Sequence, residues 1–350
     1  MSECHGYAVK SAASPLEPFS FARREVGDKD VRIEIAYCGI CHSDIHSARN
    51  EWGSAAYPLV PGHEIAGRVV QIGKSIRKFK VGDLAGVGCL VNSCRKCPNC
   101  LKGLEQFCQA PATFTYNSID KDGSKTYGGY SSHVVVDEDF ALKISPNLPL
   151  ERVAPLLCAG ITTYSPLKRF NIGKNSRVGV MGLGGLGHMA VKIAVALGAE
   201  VTVLSGSKSK EIDAKRLGAH EFALTTDSAT AAKLAGRFNV IVDTVSAKHD
   251  LNSCLNMLGL EGTLVLVGAS PVPLEFGAFP LIFGRRALAG SLIGGLSETQ
   301  EMLDFCAQKK VLADVEVIAI QDVNAAYERV LKGDVRYRFS IDLKTIHSVN

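Results

Sequence analysis

Cys94, Cys97, Cys100 and Cys108 stand in the pattern Cys-x2-Cys-x2-Cys-x7-Cys. Three thiolates at knuckle spacing, with a fourth returning on a longer arm, match a tetrahedral four-sulfur zinc site. Such a site has no open coordination position, so its role is structural. The rival, an iron–sulfur run, continues after its third cysteine with a three-residue gap and a Cys-Pro, both absent after Cys100. A second donor set is more dispersed. Cys41 and Pro61-Gly62-His63-Glu64 offer a thiolate, an imidazole and a carboxylate among glycines and prolines that suit loops. Cys158, within Leu156-Leu157-Cys158-Ala159-Gly160, can add a second thiolate. A Cys2His set with a fourth, open position suits zinc-assisted alcohol chemistry. Taken alone, a cysteine in so apolar a stretch reads as a core residue.

Gly182-Leu183-Gly184-Gly185-Leu186-Gly187 follows a predicted strand and opens a predicted helix. The first glycine permits a tight turn, the second a close backbone approach to a pyrophosphate, and the third close helix–strand packing. The helix N-terminus adds N–H groups and a positive dipole end. An NAD site places an Asp or Glu at the end of the next strand, for the ribose 2′-hydroxyl. Here that place reads Ser205-Gly206-Ser207-Lys208-Ser209-Lys210, with hydroxyls and lysines and no carboxylate to repel a 2′-phosphate. The expected dinucleotide is NADP.

The elements that position these groups fall into two styles. Residues 31–37, 65–72 and 83–91 read as strands, 111–126 as a loop, and the first part as irregular β structure. Residues 151–170 read as a helix, after which strands and helices alternate. Strands are expected at 177–181, 200–204, 221–224, 240–244, 263–267 and 287–291, which implies a parallel sheet covered by helices. In the tail, Ser297 is the expected cap of a helix over 298–309, followed by strand, helix and strand. The expected domains are 1–152, 153–291 and a segment 292–350 that returns to the first.

A chain of 350 residues with 46% hydrophobic and 21% charged residues is an ordinary two-domain globular protein. A formal charge of +4 is too small to argue for nucleic acid. No apolar run has bilayer-spanning length, and the N-terminus has no signal-peptide core, so the expected location is the cytoplasm. Eleven cysteines, an odd count without an export signal, read as metal ligands and buried thiols rather than disulfides.

Cys41-His42-Ser43-Asp44-Ile45-His46, Pro61-Gly62-His63-Glu64, the four-cysteine lobe, Cys158-Ala159-Gly160 and the glycine turn resemble the zinc-dependent medium-chain alcohol dehydrogenases. The stretches 156–167 and 334–339 resemble the cinnamyl alcohol dehydrogenase branch and its bacterial NADPH-dependent aldehyde reductases. The resemblance spans residues 7–343. It implies an α/β plus β architecture: a GroES-like catalytic domain and a doubly wound, parallel-sheet Rossmann domain. It further implies two zincs per chain and NADP. Cys41, His63 and Cys158 are then catalytic-zinc ligands, with Glu64 as a ligand or close carboxylate that exchanges with water or substrate. Ser43 relays a proton, His46 continues the relay, and Asp44 supports the zinc shell. Cofactor positions are Ser43, Thr162, Gly182 to Gly187, Ser205 to Lys210, Thr244, Gly268, Ser291, Leu292 and Ile293. Gly206 departs from relatives that carry serine there, which removes one hydroxyl from the 2′-phosphate site.

Trp52, Cys89, Phe114, Leu292 and Ile293 match pocket positions, where Trp52 and Phe114 suit aromatic or medium-chain aldehydes. The expected activity is reversible reduction of aldehydes to primary alcohols, by a homodimer acting on small molecules. The rival within the fold is a polyol or sugar dehydrogenase. The rival outside it is a nucleic-acid-binding lobe using Arg95, Lys96 and Lys102, which lacks stacking aromatics other than Phe107.

Overall fold

The computed structural model describes residues 2–347. The chain divides into two compact units, Met1–Cys158 with Gly294–Asn350, and Ala159–Ile293. Both breaks lie slightly later in the chain than the expected 152/153 and 291/292.

The first unit opens with an antiparallel hairpin, β1 (Ser2–Ala8) and β2 (Glu17–Arg23), which the sequence pattern does not announce. Next come β3 (Asp30–Gly39), α1 (His42–Ala48), β4 (Ile65–Ile72), β5 (Leu84–Val87) and β6 (Leu90–Asn92). Val31, Ile33 and Ile35 alternate into the core along β3, as a half-buried strand requires. The single strand expected over 83–91 is divided at Gly88, which packs closely on the Ala154–Leu157 turn: a Cβ there would stand 3.0 Å from the Leu157 carbonyl oxygen. The unit continues with α2 (Pro98–Leu101), β7 (Thr113–Phe114), β8 (His133–Asp137), β9 (Leu142–Lys143) and α3 (Leu150–Val153). The two-residue β7 pairs with β6 inside the expected loop.

The helix expected over 151–170 is broken. A 3-10 turn, Ala154–Leu157, follows α3, and Cys158 leaves helical geometry at φ −128° before α4 (Ala159–Arg169) begins. Pro155 has no N–H to continue a helical ladder, so the break sits where the chain needs a thiol turned aside.

From α4 the second unit runs β10 (Arg177–Met181), α5 (Gly187–Ala196), β11 (Glu200–Ser205), α6 (Glu211–Arg216), β12 (Glu221–Leu224) and α7 (Ser228–Lys233). It ends with β13 (Phe238–Asp243), α8 (Leu251–Met257), β14 (Leu258–Leu266), α9 (Phe279–Ile282) and β15 (Ala287–Gly290). All strand pairs are parallel, in the order β12-β11-β10-β13-β14-β15. This is the doubly wound order, and it reverses between β10 and β13, where ligands bind such sheets. Val178, Val180, Val201 and Val203 are buried, the apolar run expected of a sheet covered on both faces.

The tail, α10 (Leu296–Lys309), β16 (Val315–Ala319), α11 (Val323–Leu331) and β17 (Arg338–Asp342), rejoins the first unit. β17 pairs antiparallel with β3 through Ser340–Gly39, Ile341–Cys38 and Asp342–Tyr37. The resulting sheet runs β16-β17-β3-β4-β5-β9, with β8 also on β3. Ser297 is not the cap of α10; Gly295 is. The Glu105 carboxylate accepts the Leu296 N–H at 3.0 Å, satisfying a first-turn donor from outside and letting the helix start earlier. No helix among the described residues is long and apolar enough to cross a membrane.

Candidate active site

Three separate segments of the first unit deliver the dispersed donors. β3 ends at Gly39, and Cys41 is the residue from which α1 starts. The loop before β4 carries His63 and Glu64. Gly62 in that loop has φ +104°, and a Cβ on it would meet the Tyr130 ring at 2.7 Å and the Cys38 sulfur at 2.8 Å, so only glycine fits. Cys158 comes from the bend between the 3-10 turn and α4. One donor atom from each of Cys41, His63, Glu64 and Cys158 lies within 4.8 Å of all the others, and all four residues are buried.

The Cys41 and Cys158 sulfurs are 3.9 Å apart. Tetrahedral zinc with Zn–S bonds of about 2.3 Å places two sulfurs roughly 3.8 Å apart, so this spacing fits a shared ion and is far too long for a disulfide. The thiol pair shares its proton unevenly. A hydrogen bond with Cys158 holds Cys41 well below the usual thiol range, while the same bond pushes Cys158 up.

Asp44 is fully buried behind His63 and accepts its Nδ1–H at 3.1 Å, leaving Nε2 for the donor cluster. Burial opposes a charge on this imidazole, yet the Asp44 carboxylate holds it well above the usual histidine range. Glu64 pairs with the buried Arg338 through one oxygen, and the other oxygen, Oε2, is buried without a partner. An orphaned carboxylate oxygen among two thiols and an imidazole is what a cation site requires and a core does not tolerate. Zinc therefore fits these donors. Burial lifts the Glu64 carboxyl to about 7, against the pull of Arg338.

The Ser43 hydroxyl lies 3.6 Å from the Cys41 sulfur. His46 pairs through Nδ1 with Glu51, and its ring lies 4.9 Å from His42 and 5.0 Å from Trp52. Trp52 and Phe114 are exposed on the first unit, and Cys89 is half-buried. The neighbouring Cys158 thiol draws the Cys89 thiol below the usual range.

The second donor set is compact. One sulfur from each of Cys94, Cys97, Cys100 and Cys108 lies within 4.8 Å of the rest. Backbone amides point at the sulfurs: Cys97 N–H to Cys94 at 3.2 Å, Cys94 N–H to Cys108 at 3.3 Å, and Gln109 N–H to Cys97 at 3.5 Å. Hydrogen bonds from the Lys96 and Cys97 amides hold the Cys94 thiol down to about 6. Arg95 is committed to Asp137 and Asp139 at 2.8 and 2.9 Å and lies over the Phe140 ring, so it is no free contact for nucleic acid.

In the second unit, Leu183, Gly184, Gly185 and Leu186 form the turn between β10 and α5. Gly182 has φ +85°, a Cβ on Gly187 would stand 2.2 Å from the Gly182 carbonyl oxygen, and Gly184 faces open space. These are the three roles read from the sequence: turn, close packing and room for a ligand. The Thr244 hydroxyl donates to the Met181 carbonyl at 2.8 Å, closing β13 onto the same turn. Ser205 ends β11, its hydroxyl accepts the Ser207 N–H at 3.2 Å, and the Ser207 and Ser209 hydroxyls are 2.8 Å apart. Lys208 and Lys210 follow on a 3-10 turn, and Gly206 has space for a side chain, its nearest neighbour being Thr226 at 3.6 Å. Gly268 packs on the Val245 carbonyl, Thr162 is buried in α4, and Ser291, Leu292 and Ile293 follow β15.

Residues 27–146 match the model of the alcohol dehydrogenase GroES-like domain, and residues 185–308 that of the zinc-binding dehydrogenases. The chain is 54% identical over 349 residues to NADP-dependent alcohol dehydrogenase C 1 of Mycolicibacterium smegmatis, covering 99% of this chain and 100% of that one. The chain belongs to the zinc-binding alcohol dehydrogenase family. It is also 55% identical over 330 residues to a mannitol dehydrogenase of Petroselinum crispum, covering 94% of this chain and 98% of that one. Among solved structures, a cinnamyl alcohol dehydrogenase of Sorghum bicolor matches with a TM-score of 0.95 at 45% identity, over 98% of each chain.

Two parts of the site in this zinc-binding dehydrogenase are not legible in the sequence. Arg338 marks a branch motif in the sequence, but its position against Glu64 follows only from β17 joining β3. The signal in the sequence is an arginine between two aromatic neighbours, Tyr337 and Phe339, at the start of a strand. Tyr130, whose hydroxyl donates to Asp44 at 3.2 Å, had none.

Proposed function

We propose that this chain catalyses the reversible reduction of aldehydes to primary alcohols with NADPH. The observation that carries the reading is the convergence of Cys41, His63, Glu64 and Cys158 in one buried cluster, with the Ser43 hydroxyl beside it. Cys41, His63 and Cys158 would hold a zinc ion, with Glu64 as an exchangeable fourth donor. When bound, zinc supplies a Lewis acid that polarises a carbonyl, and the reduced nicotinamide supplies a hydride.

The remaining work belongs to the chain. Ser43 donates a proton to the product oxygen during reduction and takes it back during oxidation, the kind of positioned transfer worth about 10²–10⁴-fold in rate. His46 restores the Ser43 proton, and its partner Glu51, with a side chain 44% exposed, connects it to water. Asp44 keeps the His63 ring in one tautomer, so its free nitrogen points at the metal position. Cys94, Cys97, Cys100 and Cys108 would hold a second, structural zinc. On the second unit, the turn from Gly182 to Gly187 receives the pyrophosphate, while Ser205, Ser207, Lys208, Ser209 and Lys210 receive the 2′-phosphate.

Trp52 and Phe114 present apolar ring faces that suit aromatic and medium-chain aldehydes. Polyol oxidation is the second reading, favoured by the similarity to a mannitol dehydrogenase. Reduced cytoplasm is the compartment that suits eleven cysteines with none in a disulfide. A homodimer is supported by the exposed Leu260, Phe279, Ile282 and Phe283 on the unit whose edge strand is β15.

The test is an NADPH-oxidation screen over aromatic, aliphatic and sugar aldehydes, with and without a chelator. Fast reduction of aromatic aldehydes that stops on metal removal is expected. Turnover confined to sugars would favour the polyol reading, and turnover indifferent to metal would overturn both.

A further inference from the structure

The Asp44 carboxylate sits at zero exposure and receives four hydrogen bonds. Oδ1 accepts the Gly62 N–H and the His63 ring N–H, both at 3.1 Å. Oδ2 accepts the Cys41 N–H at 2.8 Å and the Tyr130 hydroxyl at 3.2 Å. A carboxylate has about four acceptor positions, so this one is saturated. Three of the four donors belong to the metal-ligand segments themselves, being Cys41, His63 and the residue before it. The fourth, Tyr130, comes from elsewhere.

Tyr130 is also fixed from the other side. Its own N–H donates to the Pro61 carbonyl at 3.0 Å, and the Gly129 N–H donates to Gly62 at 2.8 Å, so its segment runs along the His63 loop. The Tyr327 hydroxyl, buried on α11, lies 3.4 Å from the Tyr130 hydroxyl, with the two rings edge to face at 6.5 Å. A carboxylate can only accept, so Tyr130 gives its single proton to Asp44. Tyr130 must then accept from Tyr327. Burial keeps both phenols well above the usual tyrosine range, so each retains the proton this direction needs. The chain of bonds runs one way, Tyr327 to Tyr130 to Asp44, and there it meets the His63 N–H.

We propose that Tyr130 and Tyr327 are positioning residues for the catalytic metal, orienting Asp44 and thereby His63 and setting how tightly zinc is retained. The proposal rests on the reading of Cys41, His63 and Cys158 as zinc ligands. Hydrogen-bonded groups in series polarise one another, so Tyr327 acts through Tyr130, and more weakly. Removing a partner behind a ligating histidine costs about 10–100-fold in metal affinity.

The experiment follows zinc leaving the purified holoenzyme into a chromogenic chelator, for the parent, Tyr130→Phe and Tyr327→Phe. The parent should hold two zincs and release them in two phases, with Cys41→Ser identifying the catalytic one. Tyr130→Phe, one bond further back than Asp44, should speed that phase by up to about tenfold, the low end of what loss of the His63 partner itself costs, and Tyr327→Phe should speed it less. The structural phase serves as an internal standard and should not move, and neither should NADPH affinity by fluorescence. Catalytic zinc leaving Tyr130→Phe at the parent rate would overturn the proposal, as would both phases accelerating together. A parent with one zinc, unaffected by Cys41→Ser, would overturn the ligand reading and this proposal with it. Two zincs with unchanged release would overturn this proposal alone.

Discussion

Arg338 on β17 and Glu64 at the head of β4 form an ion pair closed off from water, their side chains 6% and 0% exposed. The arginine belongs to the last strand of the chain and the carboxylate to the loop that carries His63. Among the described residues nothing else reaches the second oxygen of Glu64, so the pair leaves one donor free beside the two thiols. The C-terminal return is therefore part of the metal site as well as of the sheet.

Removing one partner of such a pair is costly because it strands a buried charge. Arg338→Met should lower stability by about 3–5 kcal/mol, read by urea denaturation. In the metal-free protein the loss should depend on pH. The folded Glu64 carboxyl, at about 7 against 4.5 ordinarily, keeps its proton to higher pH than the unfolded chain does. Its contribution is full below about 4.5 and fades as pH rises through about 7. The variant should therefore suffer more at pH 8 than at pH 5; an equal loss at both would refute the stranded-charge account.

Cys41→Ala and His63→Ala should abolish aldehyde reduction and lower zinc content from two to one per chain, while NADPH still quenches protein fluorescence. Ser43→Ala should keep both metals and slow turnover about 10²–10⁴-fold. Full turnover in Ser43→Ala would remove the proposed proton donor.

Cys100→Ser should lower the melting temperature and expose the 94–108 lobe to proteolysis, with little effect on the catalytic metal. In metal-free protein, Cys94 ionises at about 6 when folded against 9.0 ordinarily, so the unfolded chain binds more protons in between. Burial pushes the neighbouring Cys108 thiol up to about 11, which acts in the opposite sense, so lobe protection should peak near pH 9, being lost as pH falls through 6 and fading as it rises through 11. A flat protection profile across that window would contradict it.

Ser205→Asp places a carboxylate at the end of β11, where it would repel a 2′-phosphate and accept from a 2′-hydroxyl. The ratio of kcat/KM for NADPH to that for NADH should fall at least tenfold, a difference of about 1.4 kcal/mol. Gly206→Ser, for which there is room, should move the ratio the other way.

By itself the sequence determined the parts whose meaning lies in local spacing. The cysteine knuckles from Cys94, the glycine turn at 182–187, the absence of a carboxylate at Ser205 and the alternation of strands and helices after α4 are all short-range patterns. Each follows from dihedral limits, ligand geometry or helical periodicity within a few neighbouring residues. The tertiary structure decided what depends on distant segments meeting. It turned Cys158 towards Cys41 after the break at Pro155, and set Gly88 against Leu157 where the expected strand divides. It moved the start of α10 through a carboxylate on Glu105, and brought Arg338 and Tyr327 from the tail behind Glu64 and Asp44. Side-chain period along a strand says which face a residue takes, but only the pairing of β17 with β3 selects its neighbour, and pairing is a property of the whole sheet.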